Sequence, residues 1–300
     1  SACLAHDTGP GHPERIERLQ AILEALAEAD FDGLDRREAP RATRADLLQV
    51  HPAAHVDHVL ASIPAEGYGA LDADTIVSPG SAEAALRAAG AVVAAIDAVM
   101  AGEVANAFCA VRPPGHHAEA DRAMGFCLFN NVAIGAHHAR TKYGLRRIAV
   151  VDFDVHHGNG TQHIFERDAG LFYASTHQMP LYPGTGAEDE QGVGNICNAP
   201  LPPRAGSDPF RKAMERRVLP ALEAFAPELL IVSAGFDAHE ADPLAELMLK
   251  EADYAWATDA LVAVAKKHCG GRLVSALEGG YDLDALARSA VVHVERLMAA

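Results

Sequence analysis

The sequence predicts an α/β fold with three layers: a mainly parallel sheet with helices on both faces. Three observations carry this. Short apolar runs alternate with helical periodicity along the chain. Two of the runs, Ile148 to Val151 and Leu229 to Val232, contain no polar residue, as strands buried on both faces do. Polar clusters follow directly after four of the runs, which is where parallel α/β sheets place their ligands.

The helices come first. Ile16, Leu19, Ile22, Leu23 and Leu26 recur at helical spacing, so a helix is expected over residues 13–29, with Pro13 in its first turn. A second is expected over residues 81–101, capped by Ser81, faced by Val92, Val93, Ile96 and Val99, and stopped by Gly102. A third covers residues 131–143 before Gly144. The strands are expected at residues 107–111, 147–151, 171–174, 229–232 and 272–277. No repeat, low-complexity tract or linker interrupts the 300 residues, so residues 1–300 read as one domain.

Composition narrows the function. About half the residues are hydrophobic, which excludes a disordered chain. The net charge of −16 disfavours nucleic acid and favours cationic partners such as Lys-rich peptides or amines. No apolar run reaches membrane-spanning length, and no signal peptide is visible at the start. Cys3, Cys109, Cys127, Cys197 and Cys269 are odd in number and dispersed, with no C-x-x-C pair. They read as buried thiols in a reducing compartment, and the expected location is the cytoplasm. An Ala-rich acidic chain without a localisation signal suggests a bacterial source.

The polar clusters carry the chemistry. They are Arg112-Pro113-Pro114-Gly115-His116-His117, Asp152-Phe153-Asp154-Val155-His156-His157-Gly158, Ser233-Ala234-Gly235-Phe236-Asp237 and Glu278-Gly279-Gly280-Tyr281. On an extended segment, Asp154 and His156 share one face and can grip one cation, with Asp237 as third ligand. Two oxygens, one nitrogen and an open position describe a catalytic zinc site, although mixed O and N ligands also admit other divalent metals. His116 and His117 follow a rigid turn and suit a general base and a general acid. Asp152 is free to orient one imidazole, and Asn159 is the natural partner of the other. Gly279 and Gly280 let the backbone bend so that the Tyr281 phenol reaches a developing oxyanion.

Five segments (RPPGHHAEADRAMGFCLFNN at 112–131, VDFDVHHGNGTQ at 151–162, LYPGTG at 181–186, SAGFD at 233–237 and EGGYDL at 278–283) resemble the zinc-dependent histone deacetylase family. The likeness is greatest to the class II branch and its bacterial amidohydrolase relatives, and it runs from about His6 to about Leu297. It implies the arginase/deacetylase fold and zinc on Asp154, His156 and Asp237. It also implies a tandem acid/base pair, with Asp152 behind His116 and Asn159 behind His117, and Tyr281 polarising the acyl carbonyl. Phe126, after Gly125, and Tyr182 match the two walls of a narrow tube that holds the lysine methylenes. A structural potassium ion is implied at Asp152, with Ser175 and the backbone carbonyls of Asp154, His156 and Thr176, and a second cation site near Phe165. Two departures stand out: few residues precede the segment at His6, so a short edge strand or a trimmed start is expected, and Ile16 replaces a usual Pro.

The expected activity is hydrolysis of acetyl or other short acyl groups from acyl-lysine in proteins or peptides. One rival is an acylpolyamine hydrolase, whose acidic gatekeeper position falls at Leu244, with Glu240 and Asp242 nearby. A two-manganese ureohydrolase needs extra carboxylates and lacks the tandem histidines, and a non-catalytic acyl-lysine binder predicts a lost ligand. The sequence leaves the oligomeric state open, and the loops within residues 50–79 suit either a rim or a subunit contact.

Overall fold

The computed structural model describes residues 2–27 and 31–300. In chain order, a 3-10 turn at Ala2–Ala5 precedes α1 (Ile16–Ala25), α2 (Arg44–Leu47), α3 (Ala53–Ala61), β1 (Gly69–Ala70), β2 (Ile76–Val77), α4 (Ser81–Ala101), β3 (Asn106–Cys109) and α5 (Asn131–Tyr143). Then come β4 (Ile148–Asp152), α6 (Asn159–Phe165), β5 (Leu171–Gln178), β6 (Ile196–Leu201), α7 (Ser207–Ala213), α8 (Leu219–Phe225), β7 (Leu229–Ala234), α9 (Glu251–His268), β8 (Leu273–Leu277) and α10 (Leu283–Met298). Six strands form one sheet in the order β3-β8-β7-β4-β5-β6. Every pairing in it is parallel.

The alternation of side chains along the central strands builds two cores. Ala149 and Val151 of β4, with Leu230 and Val232 of β7, face a cluster that holds Leu222, Tyr254, Leu261 and Leu286. Ile148, Val150, Leu229 and Ile231 face the opposite cluster, with Val92, Ile96, Val132 and Ala136 of α4 and α5. A sheet apolar on both faces needs a helical layer on each side, and this sequence supplies both.

Several expectations shift by a residue or more. The first helix begins at Ile16 after an extended Arg15, which leaves Pro13 in the bend before it. The expected end at residue 29 lies outside the described residues. Ser81 opens α4, but its hydroxyl accepts from the Ser78 N–H and meets His6 Nδ1 at 2.7 Å, so it makes no N-terminal cap; Gly80 holds that position. Gly102 and Gly144 end their helices in the left-handed conformation, as expected. α4 is, among the described residues, long and apolar enough to cross a membrane, and 56% of its most apolar window is buried in the structure.

Strand β5 runs on through Ser175, Thr176, His177 and Gln178, because its polar residues find buried partners. Ser175 Oγ meets His177 Nδ1 at 2.9 Å, and His177 Nε2 donates to the Gly186 carbonyl at 2.9 Å. The sequence gives no apolar run at β6. Asn198 and Pro200 disguise it, and Pro is tolerated there because β6 is the edge of the sheet. At the other edge, β3 pairs with β8.

A buried ionic cluster ties the first helix to the sheet. Glu14 receives Arg112 Nε and Nη2 at 2.5 and 2.6 Å, and Arg18 Nη1 at 2.9 Å. Arg18 also donates to the carbonyls of Gly280 (2.5 Å) and Glu278 (2.6 Å). All three side chains are fully buried. Burial alone would raise the Glu14 carboxyl, but Arg112, His6 and Arg18 lower it to about 2.

Removing Glu14 would leave two buried guanidinium groups without their counter-ion. Glu14→Ala is expected to cost roughly 3–5 kcal/mol of unfolding free energy in urea titrations. Because the folded pKa lies below the unfolded value of 4.5, this advantage of the wild type is present above that pH and shrinks as pH falls toward about 2. A gap between wild type and variant that does not narrow in that window would contradict the assignment.

Candidate active site

The carboxyl ends of β3, β4, β7 and β8 deliver the four polar clusters to one place. Asp154, His156 and Asp237 are buried, with ligand atoms all within 4.8 Å of one another. The chain does not stay extended between the first two. β4 ends at Asp152, and residues 154–156 bend, so Asp154 Oδ1 accepts the His156 N–H at 2.8 Å. This turn, rather than strand periodicity, turns the imidazole onto the carboxylate. His156 Nδ1 lies 3.1 Å from both Asp154 Oδ1 and Asp237 Oδ2.

The donor set fits a cation. One imidazole nitrogen can share a single proton between two buried carboxylates, which leaves uncompensated negative charge in a dry place. Burial and the neighbouring Asp154 raise the Asp237 carboxyl. A divalent metal ion on the three residues would relieve this strain in charge, and the cluster could bind one. The backbone is also shaped around the carboxylates. A Cβ on Gly279 would overlap Asp237 Oδ2 and lie 2.5 Å from Asp154 Oδ2, so only glycine permits their approach here. The Gly279 N–H donates to Asp154 Oδ2 at 2.8 Å.

The tandem histidines stand beside the cluster with ring centroids 4.0 Å apart. His116 Nδ1 donates to Asp152 Oδ2 at 3.0 Å, and His117 Nδ1 donates to Asn159 Oδ1 at 2.9 Å. Their charge states diverge. Burial lowers His116, but Asp154 and Asp152 raise it more, to about 10. Burial, His116 and His156 together hold His117 well below its ordinary value. Their surroundings thus push the two neighbouring imidazoles in opposite directions.

The aromatic residues frame the approach. Tyr182, 38% exposed, stands edge-on to His117 at 5.1 Å and near His156 at 6.4 Å. Phe126 lies 6.0 Å from the Tyr281 ring. Gly125 and Phe126 both have positive φ, and a Cβ on Gly125 would come within 2.5 Å of His117 Cδ2. The wall thus packs directly on the imidazole. Tyr281 is buried above the Arg18 guanidinium, which lies 4.7 Å from its ring centroid. Part of the segment 50–79 reaches the same rim, where Thr75 Oγ1 accepts the Phe126 N–H, and His12, from ahead of α1, packs on Phe126 at 4.8 Å.

Of the residues implied for cations, Asp152 and Ser175 are side by side as register partners on β4 and β5, and both are buried with Thr176. The position near Phe165 is different. Its carbonyl accepts from Asn195 Nδ2 at 2.8 Å, and the carbonyls of Asp168 and Leu171 reach the same nitrogen at 3.0 and 2.6 Å. A neutral amide donor sits where these carbonyls point.

Three residues at the site escape sequence reasoning. Glu278 Oε2 accepts the Gly115 and His116 N–H groups at 2.6 and 3.1 Å and so positions the histidine turn. Asp242 accepts the Leu244 N–H at 2.9 Å and the Tyr281 N–H at 2.7 Å. It thereby clamps the half-buried Leu244 loop to the tyrosine. Arg18 holds the carbonyls on either side of Gly279. Glu278 opens the EGGYDL segment and Asp242 stands near Leu244, but nothing in the sequence shows that their carboxylates grip backbone. Arg18 resembles any charge on a solvated helix face.

A model of the histone deacetylase domain matches residues 12–297. The histone deacetylase-like amidohydrolase of Pseudomonas aeruginosa is 42% identical over 93% of this chain and 79% of its own length. A probable deacetylase of Archaeoglobus fulgidus is 41% identical over 94% of this chain and 79% of its own. Histone deacetylase 14, chloroplastic, of Arabidopsis thaliana is 39% identical over 96% of this chain and 73% of its own. Among solved structures, the crystal structure of the HDA15 HD domain superposes with a TM-score of 0.94 and 38% identity, over 99% of this chain and 86% of that one.

An ion bound at about 100 times its Kd would stabilise the fold by about 2.7 kcal/mol. Titrating a divalent cation into chelator-treated protein is therefore expected to raise Tm, and Asp237→Asn to abolish the rise. A rise that survives in the variant would place the bound ion elsewhere.

Proposed function

The chain belongs to the histone deacetylase family, and from that premise we propose that it is a zinc-dependent amidohydrolase that removes acetyl or other short acyl groups from acyl-lysine side chains. The observation that carries this reading is the meeting of a buried Asp-His-Asp cluster with two adjacent imidazoles, one turned to a carboxylate and the other to an amide. Residues 1–300 act in this reading as one catalytic domain, since Arg18 near one end holds Gly280 near the other. Asp154, His156 and Asp237 would hold the zinc ion. Bound there, zinc supplies Lewis acidity, polarising an acyl carbonyl and bringing the pKa of water toward about 7.

The chain's own residues do the rest. His117 Nδ1–H is committed to Asn159, so Nε2 carries the lone pair and takes the proton of the attacking water. The Tyr281 phenol, kept protonated by its burial, donates to the developing oxyanion. His116, held by Asp152 at Nδ1, stands beside His117 and faces the charge that builds up as the carbonyl opens. His117 then returns the proton to the leaving amine, and acetate and free lysine result. Phe126 and Tyr182 form the walls for an apolar stem, with Gly125, Gly279 and Leu244 along the approach. A potassium ion at Asp152, Ser175 and Thr176 would brace β4 and β5 beneath the site.

The substrate assignment rests on the gate. The carboxylate of Asp242 is buried and accepts two backbone N–H groups, and Glu240 faces Lys250 at 3.4 Å. Leu244 is apolar. Asp242 is thus committed to backbone, and Glu240 is paired with Lys250.

The test is hydrolysis of a fluorogenic acetyl-lysine peptide with and without a zinc chelator, beside its trifluoroacetyl analogue and acetylspermidine. Chelator-sensitive turnover of the acetyl peptide is expected. Turnover of acetylspermidine alone would move the assignment to small amines, and no turnover with zinc bound would sink the catalytic reading. Tyr281→Phe is expected to lower kcat by roughly 10²–10³, as loss of an oxyanion donor does. His117→Ala should cost at least as much.

A further inference from the structure

We propose that Glu119 is a positioning residue, which holds the Asn159 amide the one way round that leaves His117 able to accept a proton at Nε2. The inference rests on the reading of His117 as the base.

An asparagine side chain has a carbonyl on one side and an NH2 group of nearly the same shape on the other. With Oδ1 toward His117, it accepts the Nδ1–H and the lone pair lies on Nε2. With the amide turned over, the NH2 group would donate to Nδ1, and the ring proton would move to Nε2. The first tautomer is a base toward the site and the second is not. An aspartate at this position would face no such choice. Asn159 does, and something must decide it.

Glu119 decides it by geometry. Asn159 Oδ1 lies 2.9 Å from His117 Nδ1, and Asn159 Nδ2 donates to Glu119 Oε1 at 2.7 Å. The other acceptors near that nitrogen are farther away, the His117 carbonyl at 3.5 Å and Met124 Sδ at 3.4 Å. An ionised carboxylate only accepts. Turning the amide over would set Asn159 Oδ1 against it and break the short bond. Glu119 is itself held from the surface side: His163 Nδ1 and Arg122 Nη2 reach the same Oε1 at 3.0 and 3.1 Å. The Glu119 N–H donates to the Arg122 carbonyl at 2.9 Å, closing the turn that presents the carboxylate. Burial raises the Glu119 carboxyl, but the bond from Asn159 and the facing His163 leave it below its ordinary value. The chain of contacts runs from the half-exposed His163 through Glu119 and Asn159 to the base.

The experiment uses the zinc-loaded full chain and two variants. Glu119→Met keeps the length of the side chain and removes the acceptor, while Glu119→Gln keeps a carbonyl for Asn159. Long-range 1H–15N spectra of the imidazoles read the His117 tautomer directly. Wild type and Glu119→Gln are expected to show the Nδ1–H form, and Glu119→Met a shift toward Nε2–H. On acetyl-lysine peptide, Glu119→Met is expected to lower kcat roughly 10–100-fold, as loss of an outer partner does, with KM unchanged. In an Asn159→Asp background the same change should no longer lower kcat. An unchanged tautomer in Glu119→Met overturns the proposal, and so does a loss of the same size in both backgrounds. If the enzyme does not hydrolyse acyl-lysine at all, the tautomer still reports on Glu119, so the two readings fail separately.

Discussion

Like charges are buried together at the carboxyl end of this sheet, and the rest of the structure is organised to make that tolerable. Asp152, Asp154, Asp237 and Glu278 are all fully or almost fully buried, and Asp242 is close behind. Isolated carboxylates in such a place would protonate or pull the fold apart. Here the oxygens are taken up by backbone. Val155, His156, Gly279, Gly115, Leu244 and Tyr281 each turn an N–H toward one of them. The loops after the strands are therefore bound to the charges they carry, and the shape of the site follows from electrostatic need.

The same need explains why the charges are not spent evenly. His116 sits between Asp152 and Asp154, which favour its protonated form, while His117, one residue on, is buried beside His116 and His156, which disfavour it. Two identical side chains in sequence are set apart by the groups that surround them. The distinction lies in residues 36 and 42 positions away in the chain. It survives only if those partners are themselves held in place.

Support from beneath comes from residues that never face a substrate. Glu14, Arg18 and Arg112 form a closed ionic group that joins the first helix to the ends of β3 and β8. Arg18 grips the carbonyls of Glu278 and Gly280 and supports the Tyr281 ring. The glycine between those carbonyls is the one whose missing side chain lets Asp154 and Asp237 approach. A helix far from the site in sequence thus fixes the backbone on which the site depends.

The sequence by itself determined the parallel α/β architecture, because β4 and β7 are apolar on both faces and only a layer of helices on each side can cover them. It also determined which residues meet. His116, His117, Asp152, Asp154, His156, Asp237 and Tyr281 all stand at or after strand ends, and parallel strands bring their ends to one edge. The pairing of Asp152 with His116 and Asn159 with His117, implied by family resemblance, is what the hydrogen bonds show. Only the tertiary structure decided what long-range contacts control. β6 forms because a sheet edge accepts Asn198 and Pro200, which local propensity disfavours. Asp154 and His156 meet through a bend that their own hydrogen bond creates, where strand periodicity predicted an extended pair. Arg18, Glu278 and Asp242 carry no local signature, since a charge that binds distant backbone looks in sequence like one that binds water.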